Sequence, residues 1–140
     1  MTEMLTTYQT AITLAALLVV AVHLQSFLSA MFKIVLGKQA PGVSAAGDYT
    51  DRTFRIYRTH MNSVENLTIF IAALIFAMIA GVNASLVNWL VIIHVVARLA
   101  FWAVYYPGLG ALAGGLRTIV FVIGFTASMV LAITALFAVL

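Results

Sequence analysis

Four apolar stretches, each at least about 20 residues long, take up most of this 140-residue chain. A helix rises 1.5 Å per residue, so about 20 residues reach roughly 30 Å, the hydrocarbon thickness of a bilayer. One such run can hide in a soluble core, but four in so short a chain leave too little polar material to wrap them. Composition closes that escape: 64% of residues are hydrophobic and 8% charged, against roughly 25% charged in soluble domains. The mean hydropathy is +1.14. Lipid offers backbone amides and carbonyls no partner, so each run must pair its own groups as a helix. The chain therefore reads as all-α, an integral membrane four-helix bundle with up-down-up-down topology. A single transmembrane domain spans 1–140, with helices at about 8–36, 50–80, 84–105 and 115–139.

The first run could be mistaken for a signal peptide. No lysine or arginine precedes it, and apolar periodicity continues through Phe27, Leu28, Met31 and Phe32, so it reads as a retained helix. The longest connection, Gly37 to Tyr49, is rich in glycine and polar residues. Asp48 or Asp51 is placed to cap the second helix. Gly81, Asn83 and Ser85 mark a very short turn, and Pro107 with Gly108, Gly110, Gly114 and Gly115 marks the third connection. Gly124 and Ser128 suit close helix contact in the last span. Lys33, Lys38, Arg52, Arg55 and Arg58 flank the long connection, whereas the Gly81–Ser85 turn carries no charge. The positive-inside tendency then places the long connection in the cytoplasm and both termini outside, on the periplasmic side if the membrane is a bacterial inner membrane.

Several kinds of chemistry drop out. There are no cysteines, hence no disulfide, thiolate metal site or protein thiol nucleophile. A net charge of +3, with arginines near or inside apolar helices, makes no case for nucleic acid. No phosphate loop, dinucleotide fingerprint, zinc-protease motif or nucleophile elbow occurs. His23, His60 and His94 lack a histidine at i±4, so no metal or haem site is expected.

The informative string is Phe54 to Phe70. Within it Arg55, Arg58, Asn62 and Glu65 recur at offsets of three, four and three, on one helical face. Such a face is costly against lipid tails and should point into the bundle, a neighbouring subunit or a polar cleft. Glu65, deepest of the four, is expected to pair with an arginine. Spacing alone leaves two readings open, an ion-pair network that fixes packing and a ligand site. In the third helix Arg98, Trp102 and Tyr105 share a face, and Tyr105 is also suited to anchor at the interface. Arg117 opens the fourth helix. Arg55, Arg58, Arg98 and Arg117 together outline a basic pocket suited to carboxylates, which guanidinium groups clamp in pairs.

These residues resemble the MAPEG family, the membrane-associated proteins of eicosanoid and glutathione metabolism, over nearly the whole chain. The most specific piece is RxxRxHxNxxE, here Arg55, Arg58, His60, Asn62 and Glu65. Arg98 with Tyr105 seven residues on is the second, and Arg117 with Thr118 at the start of the last helix is the third. The short connections and alanine-rich spans look like the family's bacterial branch. The resemblance implies a homotrimer with sites between subunits opening toward the cytoplasm. Glutathione, as co-substrate, would be held by Arg55, Arg58, Asn62, Glu65, Arg98 and Tyr105. Arg117 would be the catalytic residue beside the thiol. The implied reaction is conjugation to a lipophilic electrophile or reduction of a lipid hydroperoxide, with the bilayer delivering the lipophilic substrate. The competing reading is a non-catalytic membrane module for an anionic metabolite or lipid headgroup. A transporter ranks last, because the chain lacks two matched halves with interrupted helices.

Overall fold

The computed structural model describes residues 2–111 and 114–140. Leu112 and Ala113, inside the glycine-rich third connection of the sequence reading, lie outside the described residues. A short helix α1 (Thr2–Thr7) precedes α2 (Gln9–Met31), which runs into a π-helical turn (Phe32–Leu36). Then come α3 (Arg52–Ile79), α4 (Ala84–Tyr105) and α5 (Leu116–Val139). Among the described residues there is no strand. Four helical segments among them, Gln9–Leu36 and α3 to α5, are long and apolar enough to cross a membrane. The architecture is the four-helix membrane bundle expected from the sequence.

Local chemistry sets the ends of these helices. Asp51 caps α3, its Oδ1 accepting from Phe54 N at 2.7 Å. Asn83 caps α4 in the same way, through Leu86 N at 3.1 Å. The α3–α4 turn closes with Val82 N on Ala77 O at 3.0 Å and Gly81 N on Met78 O at 3.2 Å. That bond pair is a Schellman end, which needs a left-handed residue, and Gly81 supplies φ +70°. At the end of the first span the helix widens, and Gly37 N reaches Phe32 O at 3.0 Å, five residues back. A Cβ on Gly37 would stand 2.7 Å from the Lys33 carbonyl oxygen, so only glycine closes this turn.

The helices meet through small residues. Ala11, Ala15, Ala73, Ala77, Ala127 and Ala135 are buried, with Leu18, Phe70, Val91 and Leu131 filling the spaces between them. Lipid is as apolar as leucine, so packing rather than transfer from water holds this core. Fully buried Leu131 makes on the order of 40–60 atom contacts of ~0.1–0.2 kcal/mol each. Outward faces carry Leu24, Phe27, Phe76 and Phe137, each more than 60% exposed, a surface that suits lipid tails. Tyr8 Oη donates to Val82 O at 2.6 Å, and Ala11 N to Asn88 Oδ1 at 3.0 Å, so the start of α2 is fastened to the α3–α4 turn and to the start of α4.

Candidate functional site

At the other end of the bundle, polar side chains bridge the helices. The α3 face carries Arg58, Asn62 and Glu65 one turn apart, and Arg58 Nη1 meets Glu65 Oε1 at 3.0 Å. Their side chains are 42% and 52% exposed, so the pair contributes ~0–1 kcal/mol and chiefly fixes where the guanidinium points. Deeper in, Arg98 of α4 is 2% exposed and donates from Nη1 to Asn62 Oδ1 at 3.0 Å. Its guanidinium lies 4.9 Å from the Phe101 ring centre and 5.4 Å from that of Phe121, where ring faces attract a cation. Its Nε and Nη2 have no hydrogen-bond partner among the described residues. On α5, Gly124 makes room for this group: a Cβ there would stand 3.4 Å from Arg98 Nε and 3.3 Å from Ala97 Cβ.

Arg117 stands in the first turn of α5, where the helix dipole disfavours a cation and favours an anion. Its guanidinium lies 4.6 Å from the Tyr49 ring centre and 5.0 Å from that of Tyr105. The two tyrosine rings meet edge to face at 5.5 Å. Tyr49 thus brings the long connection against α4 and the start of α5. Gly47 and Asp48, just before it, line the same space. Two hydrogen bonds from Thr50, by hydroxyl at 2.6 Å and amide at 2.8 Å, hold the Asp48 carboxyl below its ordinary pKa of 3.8.

These groups enclose a cavity of about 490 Å³ lined by Arg58, Asn62, Tyr105, Arg117, Thr118, Asp48 and the rings of Tyr49, Phe54, Phe101 and Phe121. Of the seven site residues read from the sequence, Arg58, Asn62, Tyr105 and Arg117 line it directly. Arg98 lies behind the wall, touching the cavity residues Asn62, Phe101 and Phe121. Glu65 reaches it through Arg58. Arg55 is turned away. Its Nη1 donates to Tyr49 O at 2.9 Å and Thr50 O at 2.8 Å, its Nε to Tyr106 O at 3.1 Å. It ties the long connection to the end of α4. The common face of four residues thus divides, because the carbonyls of Tyr49, Thr50 and Tyr106 draw Arg55 aside.

The sequence reading did not assign Tyr49, Phe54 or Phe121 to the site, and offered Asp48 only as an alternative to Asp51 for the cap of α3, a place Asp51 takes. The one available signal for Tyr49 was an aromatic residue just before the cap of α3. A hydroxyl ladder was also missed: Trp102 Nε1 donates to Ser63 Oγ at 2.9 Å, Ser63 to Thr59 O at 2.9 Å, and Thr59 to Arg55 O at 2.7 Å. His94 is structural in setting, stacked on Phe70 at 3.9 Å with Nδ1 2.9 Å from Gly124 O. His23 bonds its own helix at Val19 O. No cluster of three or more potential metal ligands occurs among the described residues.

Comparison with known proteins adds one finding. A comparison with curated proteins finds no match. The sequence pattern of the MAPEG family matches residues 8–137, from the residue before α2 to near the end of α5. That family includes glutathione-dependent transferases and peroxidases. The match takes in the first three spans, all but the last two residues of the fourth and every residue of the cavity wall, and the chain belongs to the MAPEG family.

Proposed function

We propose that the protein is a membrane-bound glutathione-dependent transferase or peroxidase acting on a lipophilic electrophile or a lipid hydroperoxide. One observation carries this reading: Arg58, Asn62, Tyr105 and Arg117, from three helices, face one cavity of about 490 Å³ in a chain that has no cysteine. The volume falls in the range of small-molecule sites, and a thiol nucleophile has to arrive with the ligand.

Glutathione carries two carboxylates, an ammonium and a thiol, and the side chains match that set. Arg58 is the carboxylate clamp on the wall, and the unpartnered Nε and Nη2 of Arg98 are the donors held in reserve behind Asn62. Glu65, beside Arg58, suits the ammonium. Arg117, at a helix start, is left for the sulfur. A guanidinium there favours the ionised thiol and lowers its pKa. In transfer, the sulfur's electron pair forms the new S–C bond, the leaving group departs with its bonding pair, and the thiol proton goes to water. In peroxide reduction, two thiols become a disulfide as the O–O bond is cleaved to alcohol and water. The rings of Phe54, Phe101 and Phe121 supply the apolar wall. The functional unit in this reading is a homotrimer with the site at a subunit boundary. The cavity opens to the cytoplasm of a bacterial inner membrane, and both termini lie in the periplasm.

The test is glutathione binding to the purified protein in detergent, read by calorimetry and by thiolate absorbance near neutral pH. Binding with a thiolate signal supports the proposal; no binding at millimolar glutathione sinks it. Binding without turnover of a chlorinated dinitrobenzene or a hydroperoxide would reassign the protein as a non-catalytic binding module.

A further inference from the structure

A second cavity of about 520 Å³ lies at the same end of the bundle, and no residue lines both cavities. Its floor is apolar, made by Leu28 and Phe32 from the first span, Ile56 of α3 and Pro107 after α4. Arg52, Arg55 and Tyr106 complete it, and among the described residues no acidic side chain lines it. The placement follows the depth of a lipid. Arg52 opens α3 at the end of its span, while Leu28 lies eight residues inside the end of the first span at Leu36, roughly 12 Å along a helix. Charge thus sits at the rim and apolar surface runs inward.

The two arginines differ in how they are engaged. Arg55 has Nε and Nη1 bonded to backbone carbonyls and forms part of the wall between the two cavities. Arg52 is exposed and lies 5.4 Å from the Phe32 ring centre. It has no carboxylate partner among the described residues, where the only ion pair is Arg58–Glu65. An exposed guanidinium resting on an aromatic ring keeps its donors free for an oxyanion. The π-helical turn Phe32–Leu36 widens the first span where Phe32 enters the cleft, and such turns recur at functional sites. Basic pockets between transmembrane helices near the membrane surface take lipid phosphates.

We propose that this cleft is a binding site for an anionic phospholipid of the bilayer, its phosphate on Arg52 at the rim and one acyl chain along Leu28, Phe32, Ile56 and Pro107. The site is separate from the glutathione cavity, so its occupancy stands or falls independently of the proposed reaction.

The experiment uses the purified full chain in neutral detergent with added dioleoyl phosphatidylglycerol, dioleoyl phosphatidylcholine or soluble glycerol phosphate. Thermal midpoint and lipid retained in native mass spectrometry are the readouts. Phosphatidylglycerol should raise the midpoint and be retained, with phosphatidylcholine and glycerol phosphate much weaker. Arg52→Gln should weaken phosphatidylglycerol binding about fivefold. Leu28→Trp, at a position already half exposed, should fill the cleft and remove the retained lipid, and it decides the matter if the Arg52 variant does not fold. Equal binding of the two lipids overturns the proposal, as does an equal shift from glycerol phosphate alone. So does an unchanged lipid preference in both variants. A change in oligomeric state with Leu28→Trp and none in lipid retention assigns the cleft to a second copy of the chain and also overturns it.

Discussion

The two ends of the bundle are built on different principles. Around the α3–α4 turn, helices meet through alanines and fully buried Leu131, and the side-chain bonds that fasten this end run from Tyr8 Oη to Val82 O and from Ala11 N to Asn88 Oδ1. Around the long connection, side chains bond across helices, as in Arg98–Asn62, Trp102–Ser63 and Gln25–Tyr106. Buried side-chain polar atoms without a partner among the described residues belong to Gln25, His60, His94, Arg98 and Ser128, from mid-span toward this polar end. A polar network that serves packing alone gains by satisfying every donor, because an unmet one costs about 1–3 kcal/mol. Arg98, with two such donors, touches the cavity residues Asn62, Phe101 and Phe121, and in the proposed reading a ligand completes its bonding. One end is joined mainly by apolar packing, the other by side-chain hydrogen bonds between helices.

The strongest way to break this contrast is at Arg117. Arg117→Ala should lower turnover of a chlorinated dinitrobenzene by about a hundredfold to a thousandfold, the range for losing a preorganised group that stabilises an anion. Glutathione affinity should change far less, because Arg58, Asn62 and Tyr105 remain. A matched pair of kcat and Kd measurements decides it, and unchanged kcat removes Arg117 from the chemistry. At the opposite end, Leu131→Ala should lower resistance to unfolding by sodium dodecyl sulfate while leaving glutathione affinity alone. The loss should be smaller than the roughly 2–5 kcal/mol of the same truncation in a soluble core, since the unfolded helices stay in lipid and only contacts are lost. A weakened glutathione Kd in this variant would mean the two ends are not separable.

That division was only partly legible in the sequence. The four spans were plain because lipid allows one solution to the backbone problem, and length with hydropathy detects it. Arg58, Asn62 and Glu65 were legible as a helical face; the Arg58–Glu65 pair spans two turns of that face, and the Asn62–Arg98 bond needs the facing helix as well. Arg55 shares that periodicity and yet leaves the face, because periodicity fixes where a Cα sits and not which carbonyls a long side chain finds. Tyr49 and Asp48 were hidden for a related reason. They lie in a connection with no period, and the turn at Thr50 with the edge contact to Tyr105 brings them to the cavity. Gly124 was legible only as a residue suited to close helix contact, and its role as the seat of Arg98 needed the facing helix in place.

Gly124 therefore offers a finer test. Gly124→Ala puts a methyl 3.3 Å from Ala97 Cβ, tighter than an ordinary contact, and in contact with Arg98 Nε at 3.4 Å, so α4 must give by a few tenths of an ångström where Arg98 bonds Asn62. Overpacking of this kind costs about 1–3 kcal/mol, shared between stability and ligand affinity. Glutathione binding should weaken by about fivefold, with kcat at saturation nearly unchanged because Arg117 is untouched. If affinity holds while stability falls, Arg98 belongs with the packing of the bundle and not with the ligand.

The smallest effect is expected at Asp48, the one acidic residue among the described residues that line the cavity. Its carboxylate is tied to Thr50 by two hydrogen bonds, so it is occupied with its own turn and adds a negative charge facing a ligand with two carboxylates. Asp48→Asn keeps the acceptor oxygen and removes the charge, and should tighten glutathione binding slightly at neutral pH. The sign with pH follows from the depressed pKa. A carboxyl held below 3.8 by Thr50 contributes its charged-form bonding fully above 3.8 and loses it as pH falls through the lower, folded value. The affinity gap between variant and wild type should therefore persist from neutral pH down to 3.8 and close only below it. Binding titrations across that range settle the point: a gap that closes well above 3.8 would mean that Thr50 does not hold the carboxylate.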